Sequence, residues 1–552
     1  MVDTSLRDID TLSLERQVAQ MFVVRASGFL FDSQIRYPAW EPPAATLQRW
    51  IGDLGVGGVI LVDGSAPELM LRTSELQGWA EIPLLVSADI EEGVGQRFAG
   101  ATWFPPPMAI GDIARHDRPL AIDYAEQMGR FTASEALAIG INWILAPVVD
   151  ANNNPENPVI NVRSFGPDPT VVSELAAAFI RGTQEYRVLN TAKHFPGHGD
   201  TSIDSHLELP TLPHSSERLE QIELPPFLGA IAAGVDGIMS AHLLVSAWDA
   251  ERPATLSPEI LTGRLRRELG FEGLIVTDAL VMGAIAKRYD PNEAPVLAVE
   301  AGADIVLMPV DPEGGIRAIC DAVRTGRISR DRIRQSVARI WKAKGKVLAA
   351  SNEVEKSNVS EAIAQLATPA ATETAAGILR DSFQSRGTLP LKSIASTPKK
   401  PLRNLIVIDD PFQCPFLDRS APAIAIPEKL GYELQLVARS TQRLEDLYQI
   451  GKFNQVTISA NDNSNKFCST LLQVFVRGNP FGTSAALTRL ARSWLDKLVE
   501  TQELNAVAIY GSPYALEEFR PQLPPQLPYA FSYGQMPQAQ ESLLSTLLSL
   551  PE

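Results

Sequence analysis

The 552-residue sequence predicts an α/β protein, a (β/α)8 TIM barrel followed by a smaller α/β sandwich domain. Three observations predict it. Over the first 350 residues, eight short apolar runs alternate with longer amphipathic stretches, the signature of βα units repeated around a parallel sheet. Those 350 residues exceed the ~250 that such a barrel needs, which leaves room for long loops after the strands, where these barrels keep functional groups. Residues 351–400 then change character, and new strand signals begin near 401.

The eight strand signals are FVVRA (22–26), GGVILV (57–62), LLVSADI (84–90), NWILAPVVD (142–150), NTAKHF (190–195), GIMSAHL (237–243), LIVTDAL (274–280) and DIVLMP (304–309). Between them, 118–139, 171–186, 215–233 and 257–269 carry apolar residues at three- and four-residue spacing and read as helices. Segments 96–117 and 150–170 read as long loops. Residues 1–350 therefore form the barrel domain, and 351–400 a helix followed by a Ser/Pro/Lys-rich linker. Residues 401–552 form the accessory domain, with strands in RNLIVIDD, YELQLVA, VTISA, LLQVFVRG and AVAIYGS and helices at 485–501 and 537–549.

Composition excludes several functions. Apolar residues make up 45% and charged residues 21%, so most of the chain can bury a core. A net charge of −16 with no Lys/Arg run argues against binding nucleic acid or an anionic membrane surface. Cys320, Cys414 and Cys468 are too scattered for a disulfide framework or a metal site and read as reduced thiols. The first 22 residues lack the apolar core and cleavage site of a signal peptide, and no run approaches ~18 apolar residues, so a cytoplasmic, membrane-free protein is expected.

The histidines locate the chemistry. Five of the six (His194, His198, His206, His214, His242) fall within 49 residues, and most lie at or beyond the ends of the fifth and sixth strand signals. In Lys193-His194-Phe195-Pro196-Gly197-His198-Gly199-Asp200-Thr201-Ser202-Ile203-Asp204-Ser205-His206, the glycines and proline preclude a helix, so a strand end runs into an irregular loop. The Asp204 to His206 spacing lets a carboxylate accept from one imidazole nitrogen while the other faces a substrate, as a general acid/base requires. Zinc binding by the same residues is the alternative, but Pro196-Gly197 breaks the helical face on which paired histidine ligands usually sit. A structural role in satisfying loop backbone groups fits His198 and His214 best. Asp278 ends the seventh strand at the barrel mouth, where it either caps the next helix or carries catalysis. Asp89, Arg97, Arg163, Lys193 and His194 make a ring of hydrogen-bonding groups suited to a polyhydroxylated ligand, or else solvated charges.

These residues resemble glycoside hydrolase family 3, and within it the bacterial β-N-acetylglucosaminidases. KHFPGHGDTSIDSH (193–206) is similar to that subgroup's signature almost throughout. Further matches are Asp89-x-Glu91-x-Gly93 with Arg97, Pro147-Val148-Val149-Asp150, Arg163-Ser164-Phe165-Gly166, Met239-Ser240-Ala241-His242 and Thr277-Asp278-Ala279-Leu280-Val281-Met282, in the expected order across roughly residues 15–345. The resemblance implies a retaining double displacement, with Asp278 as nucleophile and His206, oriented by Asp204, as acid/base. It also implies that Asp89, Arg97, Arg163, Lys193 and His194 hold one terminal sugar, so that action is exo, on peptidoglycan fragments or chito-oligosaccharides. The partner is then a small carbohydrate, no metal or organic cofactor is required, and no oligomeric state is implied. Two positions depart from the pattern: Glu92 replaces a glycine, and Gly95 stands where an aliphatic residue is usual.

Three other readings stay open. A β-glucosidase of the same family would lack the Asp-Ser-His loop. A phosphorylase gains plausibility because an imidazole acid/base, unlike a carboxylate, does not repel incoming phosphate. A catalytically silent sugar-binding protein could keep the fold without the activity.

Overall fold

The computed structural model describes residues 6, 8–354, 359–387, 402–411, 414–438, 457–458, 469–477 and 484–549. The chain divides into two compact units, Met1–Ala375 and Ala376–Glu552.

The first unit is built on eight parallel strands: β1 (Phe22–Ser27), β2 (Gly58–Val62), β3 (Leu85–Ala88), β4 (Trp143–Ile144), β5 (Leu189–Phe195), β6 (Gly237–Ser240), β7 (Leu274–Thr277) and β8 (Val306–Leu307). They are hydrogen-bonded in the order β8-β1-β2-β3-β4-β5-β6-β7. A bridge between Val276 and Ile305, with Thr277 N–H donating to the Ile305 carbonyl at 3.0 Å, brings the two ends together and closes the barrel. Every strand signal in this unit overlaps one of these strands, with β1 and β5 each extending one residue beyond theirs. The apolar runs arise because helices cover the outside while side chains fill the inside, so neither face of a strand meets water. β3, β5, β6 and β7 are buried at every position.

Some signals overran their elements. β4 keeps only Trp143–Ile144 of the nine-residue signal, because the chain leaves the sheet into the loop from Leu145 onward. The expected helix at 215–233 is two, Ser216–Ile222 and Leu224–Ala232, the second restarting at a Pro-Pro pair that begins a helix well but cannot continue one. The segment at 257–269 is a π-helix, Glu259–Glu268.

The second unit carries a seven-stranded sheet made of Gln384–Arg386, Leu402–Ile408, Tyr432–Ala438, Thr457–Ile458, Ser469–Val476, Leu504–Gly511 and Tyr529–Ser532. All its pairings are parallel except that of Gln384–Arg386 with Tyr529–Ser532. The five expected strands are present, and the two short strands Gln384–Arg386, at one edge, and Tyr529–Ser532, next to it, carry no signal in the sequence. Their three and four residues are too few for a period-two pattern to show. The 351–400 segment also holds more than one helix: Val359–Ile363 and Pro369–Asp381 precede the edge strand, and residues 388–401, read as linker, lie outside the described residues. Cys320 is buried and Cys414 half-buried, both free, and Cys468 lies outside the described residues. Among the described residues no helix is long and apolar enough to cross a membrane.

Candidate active site

Parallel strands deliver their C-terminal ends to one rim of the barrel, and the predicted site residues gather there. Asp89 follows β3, Lys193 and His194 lie within β5, His242 follows β6 and Asp278 follows β7.

Four charges form a closed network. Lys193, 1% exposed, places Nζ 2.7 Å from Asp89 Oδ1 and 2.7 Å from Glu91 Oε1. Glu91 also receives Arg163, with Nε at 2.8 Å from Oε2 and Nη2 at 2.7 Å from Oε1, a planar fork-to-carboxylate pairing. Burial works against the charge on Glu91, but Arg163 and Lys193 prevail and hold its carboxyl well below the usual range. Burial likewise opposes the ammonium of Lys193, yet Asp89 and Glu91 raise its pKa. Two cations and two anions balance, so the network holds its shape with little net charge. Asp89 remains about a third exposed, with Oδ2 facing no protein donor among the described residues. Arg97 Nε donates to the Asp89 carbonyl at 3.0 Å, which anchors the side chain and leaves its terminal nitrogens for a ligand.

Glu91, Asp150 and His242 are central here but were absent from the predicted site. Each sat inside a quoted motif; only the fold reveals what it touches. Asp150, fully buried, accepts from His194 Nδ1 at 2.8 Å and from the backbone N–H groups of His194 and His198. Burial opposes its charge, and His194 and His198 outweigh it, so its pKa lies below the ordinary value. This fixes the His194 ring with Nε2 turned away from Asp150. His242 bridges Thr255 Oγ1 (2.8 Å) and the Ala279 carbonyl (3.0 Å), tying the end of β6 to the residue after Asp278.

Asp278 Oδ1 accepts the Ala279 N–H at 2.7 Å. Burial disfavours its charge, but His242, His194 and His206 act on it electrostatically and keep its pKa below the ordinary carboxylate value. It is thus an ionised carboxylate with one oxygen anchored, and it does not serve as the cap of a following helix: that helix, Gly283–Ala286, starts after Met282.

The loop after β5 folds as a latch. Asn157 donates to the carbonyls of His198 and Gly199 at 2.8 and 2.9 Å, and His198 spans Thr201 Oγ1 (2.7 Å) and Ser205 Oγ (3.0 Å). His206 Nδ1 and its own backbone N–H both lie 2.8 Å from Asp204 Oδ1. The far end of the loop is pinned beside Asp278: Gly283 N–H donates to the His206 carbonyl at 2.9 Å, and Lys287 Nζ to the Leu207 carbonyl at 2.9 Å. A Cβ at Gly283 would stand 2.6 Å from the Leu207 oxygen and 2.8 Å from the His206 oxygen, so only glycine allows this approach. His214 pairs with Asp200 at 2.8 Å, away from the network. Nδ1 of His194 and of His206 thus serves a carboxylate and both ring nitrogens of His198 serve hydroxyls, and no group of three or more His, Cys, Asp or Glu that could hold a metal occurs among the described residues.

The two departures from the family pattern compensate one another. Buried Glu92 accepts the Trp103 indole N–H at 2.9 Å, and the backbone of 101–103 crosses so close to Gly95 that a Cβ there would lie 2.5 Å from the Ala101 oxygen. A smaller residue at 95 makes room for the segment that supplies Glu92 with its partner.

His198 gives the latch a pH dependence. Burial pushes its pKa down from 6.5 to about 4, so the unfolded chain takes up the proton first. Stability is then complete above pH ~6.5, falls as pH drops and stops falling below pH ~4, a loss on the order of 3 kcal/mol. His198→Gln should flatten this part of the wild-type slope when denaturation midpoints are compared from pH 7.5 to 4. Parallel slopes would show that His198 does not carry it.

Comparison with known proteins shows what the chain is similar to. The model of the glycosyl hydrolase family 3 N-terminal domain matches residues 13–343, and that of the bacterial glycosyl hydrolase family 3 C-terminal domain matches 395–549. The chain is 37% identical over 332 residues to beta-hexosaminidase A of Pseudoalteromonas piscicida, covering 54% of this chain and 55% of that protein. It is 32% identical over 297 residues to the beta-N-acetylglucosaminidase/beta-glucosidase of Cellulomonas fimi, covering 52% of each. The matches thus span about half the length of these relatives. A solved structure, the glycoside hydrolase family 3 beta-N-acetylglucosaminidase from Paenibacillus sp. str. FPU-7, superposes with a TM-score of 0.75 at 28% identity, over 97% of this chain and 96% of that one.

Proposed function

Because the chain belongs to glycosyl hydrolase family 3, we propose that it is a retaining exo-β-N-acetylglucosaminidase that removes terminal N-acetylglucosamine from peptidoglycan fragments or chito-oligosaccharides. The observation that carries this reading is the Asp204–His206 pair, held 2.8 Å apart on a loop pinned beside Asp278. In the first step an Asp278 oxygen forms a bond to the anomeric carbon as the bond to the leaving oxygen breaks, and His206 Nε2 gives that oxygen its proton. In the second, water forms the new bond at the same carbon, Asp278 departs and the water proton returns to His206 Nε2. Asp204 holds Nδ1–H throughout, which keeps the exchanging proton at Nε2.

In this reading Asp89 and Arg97 take the hydroxyls of the terminal sugar, and His194 Nε2 adds a further contact. Lys193 contributes through its bonds to Asp89 and Glu91. Arg163 spends three of its five N–H donors on Glu91 and the Val159 carbonyl. It acts chiefly by fixing Glu91, and only its remaining N–H groups reach toward the sugar.

A phosphorylase is the second reading, favoured by the imidazole acid/base, which places no negative charge in the path of phosphate. Both are tested with 4-nitrophenyl N-acetyl-β-D-glucosaminide and the corresponding β-glucoside, in phosphate-free buffer and with phosphate. Preference for the first substrate, with free N-acetylglucosamine as product in either buffer, supports the hydrolase. A glycosyl phosphate product moves the assignment to phosphorylase, and preference for the glucoside to β-glucosidase. Binding of N-acetylglucosamine with no turnover of either substrate would make the chain a silent sugar-binding protein.

A further inference from the structure

At the opposite end of the barrel, beneath the N-terminal ends of β7 and β8, one carboxylate meets three guanidinium groups. Asp304 is wholly buried. Its Oδ2 accepts the Ile275 N–H at 3.1 Å and Arg266 Nη2 at 2.7 Å, while Oδ1 accepts Ser336 Oγ at 2.6 Å and Arg339 Nη1 at 3.1 Å, with Arg332 Nη1 at 3.5 Å. Three positive charges against one negative leave two uncompensated. The strongest charges acting on Arg266 are Asp304 and the other two arginines; burial first and then this repulsion push its pKa down to about 10. Burial and Arg339 lower that of Arg332 as well. Such crowding is unfavourable in isolation, and the chain as a whole is strongly acidic at −16, so the local excess is no reflection of overall composition.

The excess charge borders a pocket. A concavity of about 490 Å³, a size suited to a small ligand, is lined by Arg266, Arg339 and Lys342 above the buried ring of Phe271, and Glu272 is the single carboxylate on its wall. Among the described residues Arg339 bonds only through Nη1, which leaves Nε and Nη2 for a ligand, and the exposed Lys342 Nζ has no hydrogen-bond or ion-pair partner. Guanidinium forks match tetrahedral oxyanions better than they match chloride, and their partial burial strengthens the attraction relative to water.

We propose that this pocket binds a phosphate dianion, free or as the head of a small phosphate ester, which neutralises the two charges that Asp304 leaves over. The site is separate from Asp278 and His206 and does not depend on what they do.

The test is a thermal melt of the full chain in sodium phosphate against sodium chloride at matched ionic strength. A saturable rise in midpoint of about 2–4 °C is expected for the wild type. Lys342→Glu, an exposed change that disturbs no bond to Asp304, should raise the half-saturating phosphate concentration at least tenfold, and Arg339→Gln should do the same. His206→Ala should keep the wild-type response. A rise that is linear and unsaturated, that survives both pocket variants, or that disappears in His206→Ala would overturn the proposal. Glucose 6-phosphate titrated in parallel separates the sources: tighter half-saturation than inorganic phosphate marks an ester site, and equal values mark a site for the dianion alone.

Discussion

Asp278→Ala is expected to lower kcat on N-acetyl-β-D-glucosaminides by on the order of 10⁵-fold or more, about 7 kcal/mol of barrier, while ligand binding persists. The size follows from what the carboxylate does in the proposed mechanism. It supplies the bond that replaces the leaving group, and the neighbouring carboxylates are engaged elsewhere: Glu91 by Arg163 and Lys193, Asp89 by Lys193 through one oxygen, Asp150 by His194 and two backbone N–H groups, and Asp204 by His206. His242 and Ala279 hold Asp278 ionised and oriented, so it needs no reorganisation before attack. Truncation leaves a cavity where Oδ stood, and a small anion such as azide can enter and attack from the same side. Restored turnover should then give a product of α configuration, opposite to that of the wild type, readable by proton NMR. Undiminished activity in Asp278→Ala would place the nucleophile elsewhere. Azide rescue with a β product would refute the covalent step.

The parts of this site that were legible in the sequence are contiguous. Lys193 through His206 carries its meaning in one stretch, because one strand end and one loop deliver it whole. The barrel strands are legible for a related reason: burial on both faces makes each an apolar run, readable without knowing its neighbours. What the sequence could not reveal are pairings made by the closed barrel. Glu91 and Arg163 are 72 positions apart, Asp150 and His194 are 44 apart, and His242 meets the Ala279 carbonyl across 37. Nothing local marks Glu91 as the partner of Arg163 rather than Asp89, so the arginine read as a substrate contact when most of its donors serve the protein. Glu92 and Gly95 looked like unrelated departures until the Trp103 segment lay between them. The arginine cluster around Asp304 was missed for the same reason, since its arginines come from two helices and Asp304 from a third segment.

The second large effect is expected at the acid/base pair, where it should depend on the leaving group. His206→Ala removes the proton donor, and the loss should reach roughly 10²–10⁴-fold in kcat/KM for an alkyl or sugar aglycone. With 2,4-dinitrophenolate, which departs without a proton, the first step should be nearly normal, and the variant should show a burst followed by slow deglycosylation, because the second step still needs a base for water. Asp204→Asn should be almost as damaging although the imidazole remains. The present carboxylate accepts Nδ1–H and leaves the exchanging proton at Nε2; an amide nitrogen donating to Nδ1 would instead favour the tautomer protonated at Nε2, which is the wrong form to take a proton from water. If the two residues act as one unit, the double variant should be little worse than His206→Ala alone. Fully additive losses, or a His206→Ala deficit that is equal for dinitrophenyl and sugar leaving groups, would mean that the pair shapes the pocket without moving the proton. The loop geometry favours the first outcome. Gly283 and Lys287, just beyond the strand end that bears Asp278, hold the carbonyls of His206 and Leu207, so the loop that carries an imidazole oriented by Asp204 is fixed on that side of the barrel, as the proposed mechanism requires.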